Sequence, residues 1–531
     1  MSKAAQDTGT IARSAGTVGI AVMCSRVLGL VREQVFAFLF GAGFAFDAFV
    51  VAFRIPNLLR DLFAEGALSA AFVAVFSDYD ENQGTEKTWQ LANTVLAFFC
   101  VVLSGLVLLG IFFADEIVRF MVEADFEQIP GKVELTAKLT TIMFPFLLVV
   151  SLSSVVMGIL NTKGRFFIPA LAASFFNVGS LVGGISMAMI MPWFGQPAIM
   201  GMAIGTMLGG ILQLVGQLPT LLKTGFRFRW HFDLKDPGLR RILRLMVPAV
   251  IGLAPLQVNV LVNTYFASSL AEGTISWLNY AFRLFFFPVG IFGVALSTAT
   301  MPVISRYAAQ REMGKVRETV VSSLIMAFCL TIPASVGLIM LAEPIVRLVY
   351  QYGRFDAFTT MRTAEVLSCY SVGLFAYAAV KIMVPVFYAL NDTKFPVIGS
   401  FLTMLLNVVF IFLTVGTLQH KALALSISLA MTCNFLFLST ALYRKVEGYP
   451  LGYVMKGFFK VVAASLVMGG WLYGLRLGLE SVLPHSRVAE AAGLVVVMGT
   501  SAALYGAALY LLRVRELTVL VDKFRGRFLR A

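Results

Sequence analysis

The sequence predicts an all-α membrane protein with many membrane-spanning helices, and two features of its composition carry that prediction. Of the 531 residues, 59% are hydrophobic and only 13% are charged, and the mean hydropathy is +0.84. Apolar runs of about 20 residues, the length that crosses a bilayer as a helix, recur along almost the whole chain. Because no long polar domain separates these runs, the membrane bundle itself is the fold.

We predict fourteen membrane-spanning helices. They cover residues 17–41, 45–77, 89–113, 136–160, 166–191, 197–222, 242–268, 274–304, 317–341, 362–389, 395–416, 421–443, 454–476 and 488–512. The second and eighth are long enough to tilt or to project beyond the bilayer. The tail at 513–531 is basic and amphipathic, so we expect it to lie on the membrane surface.

Lysine and arginine are concentrated in alternate loops, and this asymmetry predicts the orientation. The basic set includes Lys163, Arg165, Lys223, Arg227, Arg229, Lys235, Arg240, Arg241, Arg306, Arg311, Lys315, Arg317, Lys394, Arg444 and Lys445. The positive-inside rule places these loops and both termini in the cytoplasm. The formal net charge of +13 is explained in this way without a nucleic-acid partner.

Two pairs of similar sequences indicate an internal repeat. The run Ala-Phe-Arg occurs at 52–54 and again at 281–283. A serine follows the arginine in both copies, Ser69 fifteen residues after Arg54 and Ser297 fourteen residues after Arg283. The run LNTK after span four likewise matches LNDTK after span ten. Both pairs are six spans apart, and an even offset gives a parallel repeat, with a pseudo-two-fold axis along the membrane normal.

The repeat defines the predicted domains. An N-terminal lobe of six spans covers 1–222, and a basic cytoplasmic linker covers 223–241. A C-terminal lobe of six spans covers 242–443, and two extra spans with the basic tail cover 444–531. Many transporters use a pair of such lobes for alternating access.

Charged residues inside the first two spans point to a functional site. Asp47, Arg54 and Asp61 recur every seven residues and Glu65 follows four later, so they share one helix face. On the preceding helix Arg26 and Glu33 share a face with Gly29, and Arg32 is one position away. Each such charge at a helix centre costs roughly 2.5–3.5 kcal/mol. The pattern therefore indicates a hydrated cationic chamber, with internal salt bridges between the two helices as the alternative.

Two further cations extend this set into the second half. Arg283 in span eight corresponds to Arg54 in span two, and Lys381 lies midway along span ten. Gly290 and Gly293 near Arg283 allow either close helix packing or space for a ligand. The candidate substrate-binding residues are Arg26, Arg32, Arg54, Arg60, Arg283 and Lys381, and the candidate cavity or gate acids are Asp47, Asp61 and Glu65.

The chemistry of these residues favours an anionic substrate. Arginine binds phosphate through two parallel hydrogen bonds, so phosphate or pyrophosphate is the expected group. The sequence has no GxxxxGK[ST] loop for a nucleotide and no CxxC motif. It also shows no catalytic nucleophile paired with a base. We therefore expect a transporter without a cofactor, driven by an ion gradient, the membrane potential or the gradient of its substrate.

Several stretches resemble the MurJ (MviN) family of lipid II flippases. They are SRVLGLVRE, GAGFAFDAF, FRIPNLLRDLFAEGALSAAFV, YAFRLFFFPVGIFGVALSTATMP and YGRF. The resemblance covers essentially the whole chain and implies membership of the multidrug/oligosaccharidyl-lipid/polysaccharide exporter group. It implies fourteen helices in the bacterial inner membrane and outward export of lipid II, the undecaprenyl-diphosphate-linked peptidoglycan precursor. Other cell-wall synthesis proteins are left open as partners.

The resemblance also implies roles for individual residues. The five arginines match basic cavity positions of the family, Lys381 matches a basic position in span ten, and Asp47 and Glu65 match acidic positions in span two. In the family the two extra spans form an apolar groove for the lipid tail.

This sequence departs from family members that have a sodium site. Those members carry acids near the positions of Asn263 and Asn407, and Ile411 follows Asn407 by one turn here. We therefore assign no metal site from the sequence. Asn263 and Asn407 are the two residues that a sodium site in this chain would use. Phe282 stands where some members have Asp.

Three other functions remain open at this stage. A drug or cation antiporter of the same fold would need acids and aromatics in its chamber, whereas this chamber is arginine-rich. A flippase for another polyprenyl-diphosphate glycan has the same charge requirement, and only the family motifs argue against it. A membrane scaffold would not need a charged, repeated core.

Overall fold

The computed structural model describes residues 3–62, 67–482 and 486–516, and the regular structure in these ranges is helical. The all-α fold is confirmed. Glu65 and the tail from residue 517 lie outside the described residues.

The helices are α1 (Lys3–Phe40), α2 (Phe44–Arg60), α3 (Ala67–Asn82), α4 (Thr85–Phe112), α5 (Ala114–Met121), α6 (Ala124–Glu127), α7 (Lys132–Met143), α8 (Phe146–Thr162), α9 (Phe167–Ile190), α10 (Ala198–Val215), α11 (Leu218–Leu222), α12 (Pro237–Ser268), α13 (Thr274–Pro288), α14 (Val294–Ala309), α15 (Met313–Met340), α16 (Ala342–Tyr350), α17 (Ala357–Val372), α18 (Leu374–Ala389), α19 (Lys394–Leu418), α20 (His420–Lys445), α21 (Leu451–Val482) and α22 (Arg487–Leu511).

Within the described ranges, eleven helical segments are long and apolar enough to cross a membrane. The number is twelve if α17 and α18, which meet at a bend of 46°, form one broken span. All twelve coincide with predicted spans. The other two predicted spans correspond to α1 and to α2 together with α3, between which residues 63–66 are not described. The full count of fourteen therefore stays a prediction.

Contacts divide the chain into two compact units, Met1–Ser276 and Trp277–Ala531. Helix α12, the seventh predicted span, packs on α3 in the first unit. Gly238 at its start leaves room for Tyr79, whose hydroxyl oxygen lies 2.9 Å from the position that a Cβ would occupy. The predicted boundary at 223–241 rests on the sequence repeat rather than on packing, and it stays a prediction.

Glycines bring α9 and α10 of the first unit into backbone contact. A Cβ on Gly205 would lie 2.3 Å from Gly184 Cα, and one on Gly201 would lie 2.1 Å from the backbone nitrogen of Ala188. Small residues at such positions let membrane helices approach closely and gain dispersion contacts.

We expect Gly205→Ala to lower the free energy of unfolding by about 1–3 kcal/mol, because the added methyl group meets backbone that cannot move aside. Gly499→Ala on α22 is the matched control, since a Cβ there meets nothing within 4 Å. Thermal unfolding of both variants in detergent checks the prediction. Equal midpoints for the two variants would contradict it.

Helix α15 lies at the centre of the second unit. Phe328 on this helix is 2% exposed, and its ring packs against those of Phe375, Phe435 and Phe458 at centroid distances of 5.4–6.3 Å. Helix α21 packs on α15, and α22 packs on α16 and α21. The two extra spans of the prediction are thus built onto the second unit.

Both long predicted spans contain a π-helical turn. Residues 61–62 adopt it after α2, and Val289–Gly293 adopt it between α13 and α14. The turns begin seven residues after Arg54 and six after Arg283. Because π turns interrupt the regular hydrogen-bond ladder, these are points at which the helices can bend.

The short helices α5 and α16 add a third pair to the repeat, which the sequence comparison missed. Each follows a long span, and their sequences ADEIVRFM and AEPIVRLVY share the run Ile-Val-Arg. Arg119 pairs with Asp115 and Arg347 with Glu343, one turn earlier in each helix. These spans, the third and the ninth, are again six apart.

Candidate functional site

Arg32 on α1 lies against α9. The Arg32 guanidinium is 2.9 Å from the Glu33 carboxylate and stacks over the Phe176 ring at 5.2 Å from its centroid. The Asn177 amide donates to the backbone oxygen of Ser25 at 3.0 Å. Arg32 is therefore held in place by a neighbouring acid and by an aromatic face.

Aromatic contacts continue from this arginine to α2. Phe176 packs on Phe146 at a centroid distance of 5.5 Å, and Phe146 packs on Phe53 at 5.4 Å. Phe53 is the residue before Arg54, whose side chain is half-buried. The structure thus connects the helices that carry Arg32 and Arg54 through one row of rings.

Arg26 differs from its neighbours. Its side chain is half-buried on α1, and no ion pair joins it to any residue in the described ranges. A cation in a membrane-spanning helix without an acidic partner must reach water or an external anion. Arg26 therefore fits the chamber interpretation better than the salt-bridge alternative.

Arg60 and Asp61 form a pair at the end of α2. Their side chains are 2.7 Å apart and are 22% and 33% exposed. Such partly exposed pairs contribute little to stability. Both residues remain accessible to water.

Asp47 is buried in an internal network, and its partners lie on α7 and at the start of α13 rather than on α1, the helix that the salt-bridge alternative named. Its side chain is 2% exposed and accepts from the Lys132 ammonium group at 3.2 Å. It also accepts from the backbone nitrogens of Gly273 at 2.8 Å and Ser276 at 3.0 Å, and from the Ser276 hydroxyl at 2.5 Å. The carboxylate thereby caps the N-terminus of α13, where the helix dipole favours negative charge.

A second acid caps α2 in return. The backbone nitrogen of Phe44 donates to the Glu272 carboxylate at 3.0 Å. Gly43 lies directly beside it, and a Cβ there would be 3.1 Å from the Glu272 oxygen. The N-termini of α2 and α13 are therefore each capped by an acid from the other segment. We call this arrangement the reciprocal cap.

Sequence reasoning found Asp47 but not its partners. Lys132 lies 85 residues from Asp47 and Ser276 lies 229 residues away. Helical periodicity relates only residues a few positions apart, so it could not connect them. The available signal was Lys132 itself, a lysine at the start of span four in a set of loops with few basic residues.

In the second unit Arg283 on α13 and Lys381 on α18 both have exposed side chains. Gly293 packs against Ala378, three residues before Lys381, and its Cβ position is 3.3 Å from Ala378 Cα. This glycine therefore serves close helix packing. No ion pair joins Lys381 to another residue in the part of the chain that the structure describes.

A second network, absent from the sequence predictions and partly exposed, joins α17 to α20. Glu365 accepts from His420 Nε2 at 2.8 Å, and its carboxylate is 3.1 Å from Lys421 and 3.2 Å from Arg362. The Trp277 ring packs edge-on against His420. The acid here is fully engaged with cations of its own unit.

The two sodium candidates lie in different units. Asn263 on α12 donates to the backbone oxygen of Asn259 at 2.7 Å and to its side-chain oxygen at 3.0 Å. Asn407 on α19 is fully buried. Among the described residues no group of three or more His, Cys, Asp or Glu side chains could hold a metal ion.

The first unit contains a cavity of about 730 Å³ whose wall includes Ile55 and Leu59, the neighbours of Arg54 and Arg60 on α2. Its walls are leucine, phenylalanine and other apolar side chains of α2, α4, α5 and α12, with Glu116 as an acid at its edge. This lining suits a hydrocarbon chain rather than a diphosphate. None of the candidate substrate-binding residues lines it.

Comparison with known proteins decides the family. The family model described as lipid II flippase MurJ matches residues 36–488. The chain belongs to the MurJ family. Members of this family are flippases, so the chain is a transporter and a multi-pass protein of the inner membrane.

Individual MurJ relatives match over nearly their full length. The lipid II flippase MurJ of Burkholderia cenocepacia is 34% identical over 504 residues, which are 92% of this chain and 95% of the relative. A probable lipid II flippase MurJ of Buchnera aphidicola subsp. Schizaphis graminum is 34% identical over 512 residues, 96% of this chain and 98% of the relative.

Solved structures show the same fold. A lipid II flippase MurJ in an inward closed conformation matches with a TM-score of 0.76 and 26% identity, over 93% of this chain and 99% of that one. An inward-facing multidrug resistance transporter of the MATE family matches with a TM-score of 0.69 and 15% identity, over 80% and 94%. The second similarity concerns the fold alone and agrees with the predicted exporter group.

Proposed function

We propose that this chain moves lipid II from the cytoplasmic to the outer leaflet of the inner membrane, and that its cations bind the diphosphate of this substrate. Membership of the MurJ family supports the substrate. The observation that carries the role of the cations is Arg26, a half-buried arginine in α1, the first predicted span, without an acidic partner among the described residues. A diphosphate would supply the missing negative charge.

The cations differ in how they would take part. Arg26 and Lys381 carry charge that the described side chains leave uncompensated, whereas Arg32 and Arg60 each contact an acid next to them. A diphosphate reaching Arg32 would compete with Glu33 for the guanidinium and would leave its aromatic contact intact. Arg54 and Arg283, the two repeat-related arginines, complete the proposed set.

The reciprocal cap supports alternating access. It closes one end of α2 against the first turn of α13 with hydrogen bonds that a transport cycle would have to exchange. The cap lies near Lys132, in a loop that the positive-inside rule assigns to the outer side. We therefore propose that the cap is intact while the outer side is closed and separates when lipid II leaves. The same rule places both termini in the cytoplasm.

The test is a flipping assay in vesicles. Purified protein is reconstituted with lipid II in both leaflets, and an enzyme or binding protein added outside measures the externally exposed fraction over time. Vesicles containing the protein should expose the inner pool, and protein-free vesicles should not. Lipid II without its peptide and an undecaprenyl-diphosphate carrying an unrelated glycan form parallel arms. Faster movement of the unrelated glycan would favour the other polyprenyl-diphosphate substrates.

A further inference from the structure

The linker between α11 and α12 carries alternating aromatic and basic residues that the transport function does not use. Residues 226–235 read FRFRWHFDLK. Phe228, Trp230, Phe232 and Leu234 are 42–60% exposed, and Arg227 and Arg229 between them are exposed as well. We call residues 226–235 the strap. An exposed row of large apolar side chains marks an interaction surface.

The strap is tied to the first unit through its backbone and through the side chains of Phe226 and His231, the latter 3.2 Å from the Gln90 amide, but not through its exposed arginines. The Asn93 amide donates to the backbone oxygen of Arg227 at 3.4 Å, and the backbone nitrogen of Arg229 donates to Asn93 at 2.9 Å. Phe226 is 3% exposed and packs edge-on against Trp89. One end of the strap is therefore anchored, while its arginine and aromatic side chains remain available.

The charges that face outward from the linker are positive. Residues 223–241 contain six basic and two acidic residues. Both acids accept backbone hydrogen bonds, Asp233 from Lys235 at 2.8 Å and Asp236 from Leu239 at 2.9 Å. The acids are thus engaged with the backbone of the linker, and its exposed cations favour an anionic partner.

The surroundings identify that partner as a membrane. The strap leads into α12, an apolar helix long enough to cross a membrane, whose spanning window is only 11% buried within the protein. Leu245 and Val247 in its first turns are exposed and continue the apolar surface of the strap. Aromatic side chains favour the boundary between hydrocarbon and headgroups, and Lys and Arg next to a membrane attract anionic lipids.

We propose that the strap is an interfacial site that binds the headgroups of anionic phospholipids, with Arg227 and Arg229 contacting phosphates and Phe228 and Trp230 inserted beside the acyl chains. The site needs no lipid II and is independent of the proposed transport function.

Lipid titration tests the charges. Purified, delipidated protein in detergent is titrated with phosphatidylglycerol or phosphatidylcholine, and bound lipid is counted by native mass spectrometry. The variant R227Q/R229Q should bind phosphatidylglycerol about 25-fold more weakly, since each of the two basic residues near an anionic surface contributes about fivefold. Asn93 holds the backbone at these positions, so the strap should stay in place.

The variant R306Q/R311Q is the matched control, because it removes two exposed cations elsewhere, one in the last turn of α14 and one just after it. It should bind like the wild type. Undiminished phosphatidylglycerol binding by R227Q/R229Q, or an equal loss in both variants, would overturn the proposal.

Fluorescence tests the aromatic contact in vesicles. Brominated lipids quench tryptophans that lie in the membrane, and the difference between wild type and Trp230→Phe isolates Trp230. We expect that difference to be larger when phosphatidylglycerol is present than in phosphatidylcholine alone. Equal quenching in both lipids, or no difference between wild type and Trp230→Phe, would overturn the proposal. Neither measurement uses lipid II or depends on flipping activity. Failure of the lipid-binding proposal can therefore be distinguished from failure of the proposed transport function.

Discussion

Asp47→Ala is expected to lower the free energy of unfolding by about 3–5 kcal/mol, the usual loss when one partner of a buried ion pair is removed. The variant leaves the Lys132 ammonium group without its anion at 1% exposure. It also removes the acceptor of the Gly273 and Ser276 backbone nitrogens at the start of α13. Thermal or denaturant unfolding in detergent measures the change.

Two further variants identify the cause. Asp47→Ala combined with Lys132→Ala removes both buried charges and should recover part of the loss. Asp115→Ala breaks a pair whose side chains are 50% and 49% exposed and should cost at most about 1 kcal/mol. An Asp47→Ala variant no less stable than Asp115→Ala would show that the reciprocal cap does not hold the two helices together.

Arg26→Ala is expected to abolish most lipid II flipping while the protein folds at normal yield. Losing one charge-assisted hydrogen bond costs about 1.5–3 kcal/mol, or roughly ten- to hundredfold in affinity. No acid among the described residues depends on Arg26, so stability should change little. Lysine should restore only part of the activity, because it cannot make the bidentate contact. Flipping rate and folded yield are measured on the same preparations.

Comparison with Arg32→Ala sharpens the test. Arg32 contacts the Glu33 carboxylate at 2.9 Å, and Glu33 is 4% exposed. Arg32→Ala removes this contact, so the variant should lose stability as well as flipping. Arg165→Ala, in an exposed loop position, serves as the control for a lost positive charge. Full flipping by Arg26→Ala at normal yield would remove Arg26 from the proposed diphosphate site.

The sequence predicted the positions of the helices well because hydropathy is a local property. The apolar run predicted at 242–268 is α12, Pro237–Ser268, and that at 395–416 is α19, Lys394–Leu418. Breaks within spans were harder to predict from the sequence. The bend of 46° between α17 and α18 and the π turn at Val289–Gly293 depend on packing against neighbouring helices, which periodicity does not report.

The candidate site was predictable only in part, for the same reason. A charged residue within an apolar run can be recognised from the sequence alone, and Arg26 and Asp47 were found in this way. The residues that contact them could not be predicted, because the contacts join positions far apart in the sequence. Arg26 has no acid partner among the described residues, whereas Asp47 is enclosed by Lys132, Gly273 and Ser276, and only the fold distinguishes these two cases.

The partners of Asp47 also constrain how the protein is made. At about 5–20 residues per second, Lys132 leaves the ribosome about 4–17 seconds after Asp47, since 85 residues separate them. Ser276, 229 residues after Asp47, follows Asp47 by about 11–46 seconds. During that interval α2 carries a carboxylate whose insertion alone is unfavourable. We therefore expect α2 to remain at the insertion machinery until α7 arrives, so that nascent chains ending before Lys132 are extracted by alkali while chains extending past it are not.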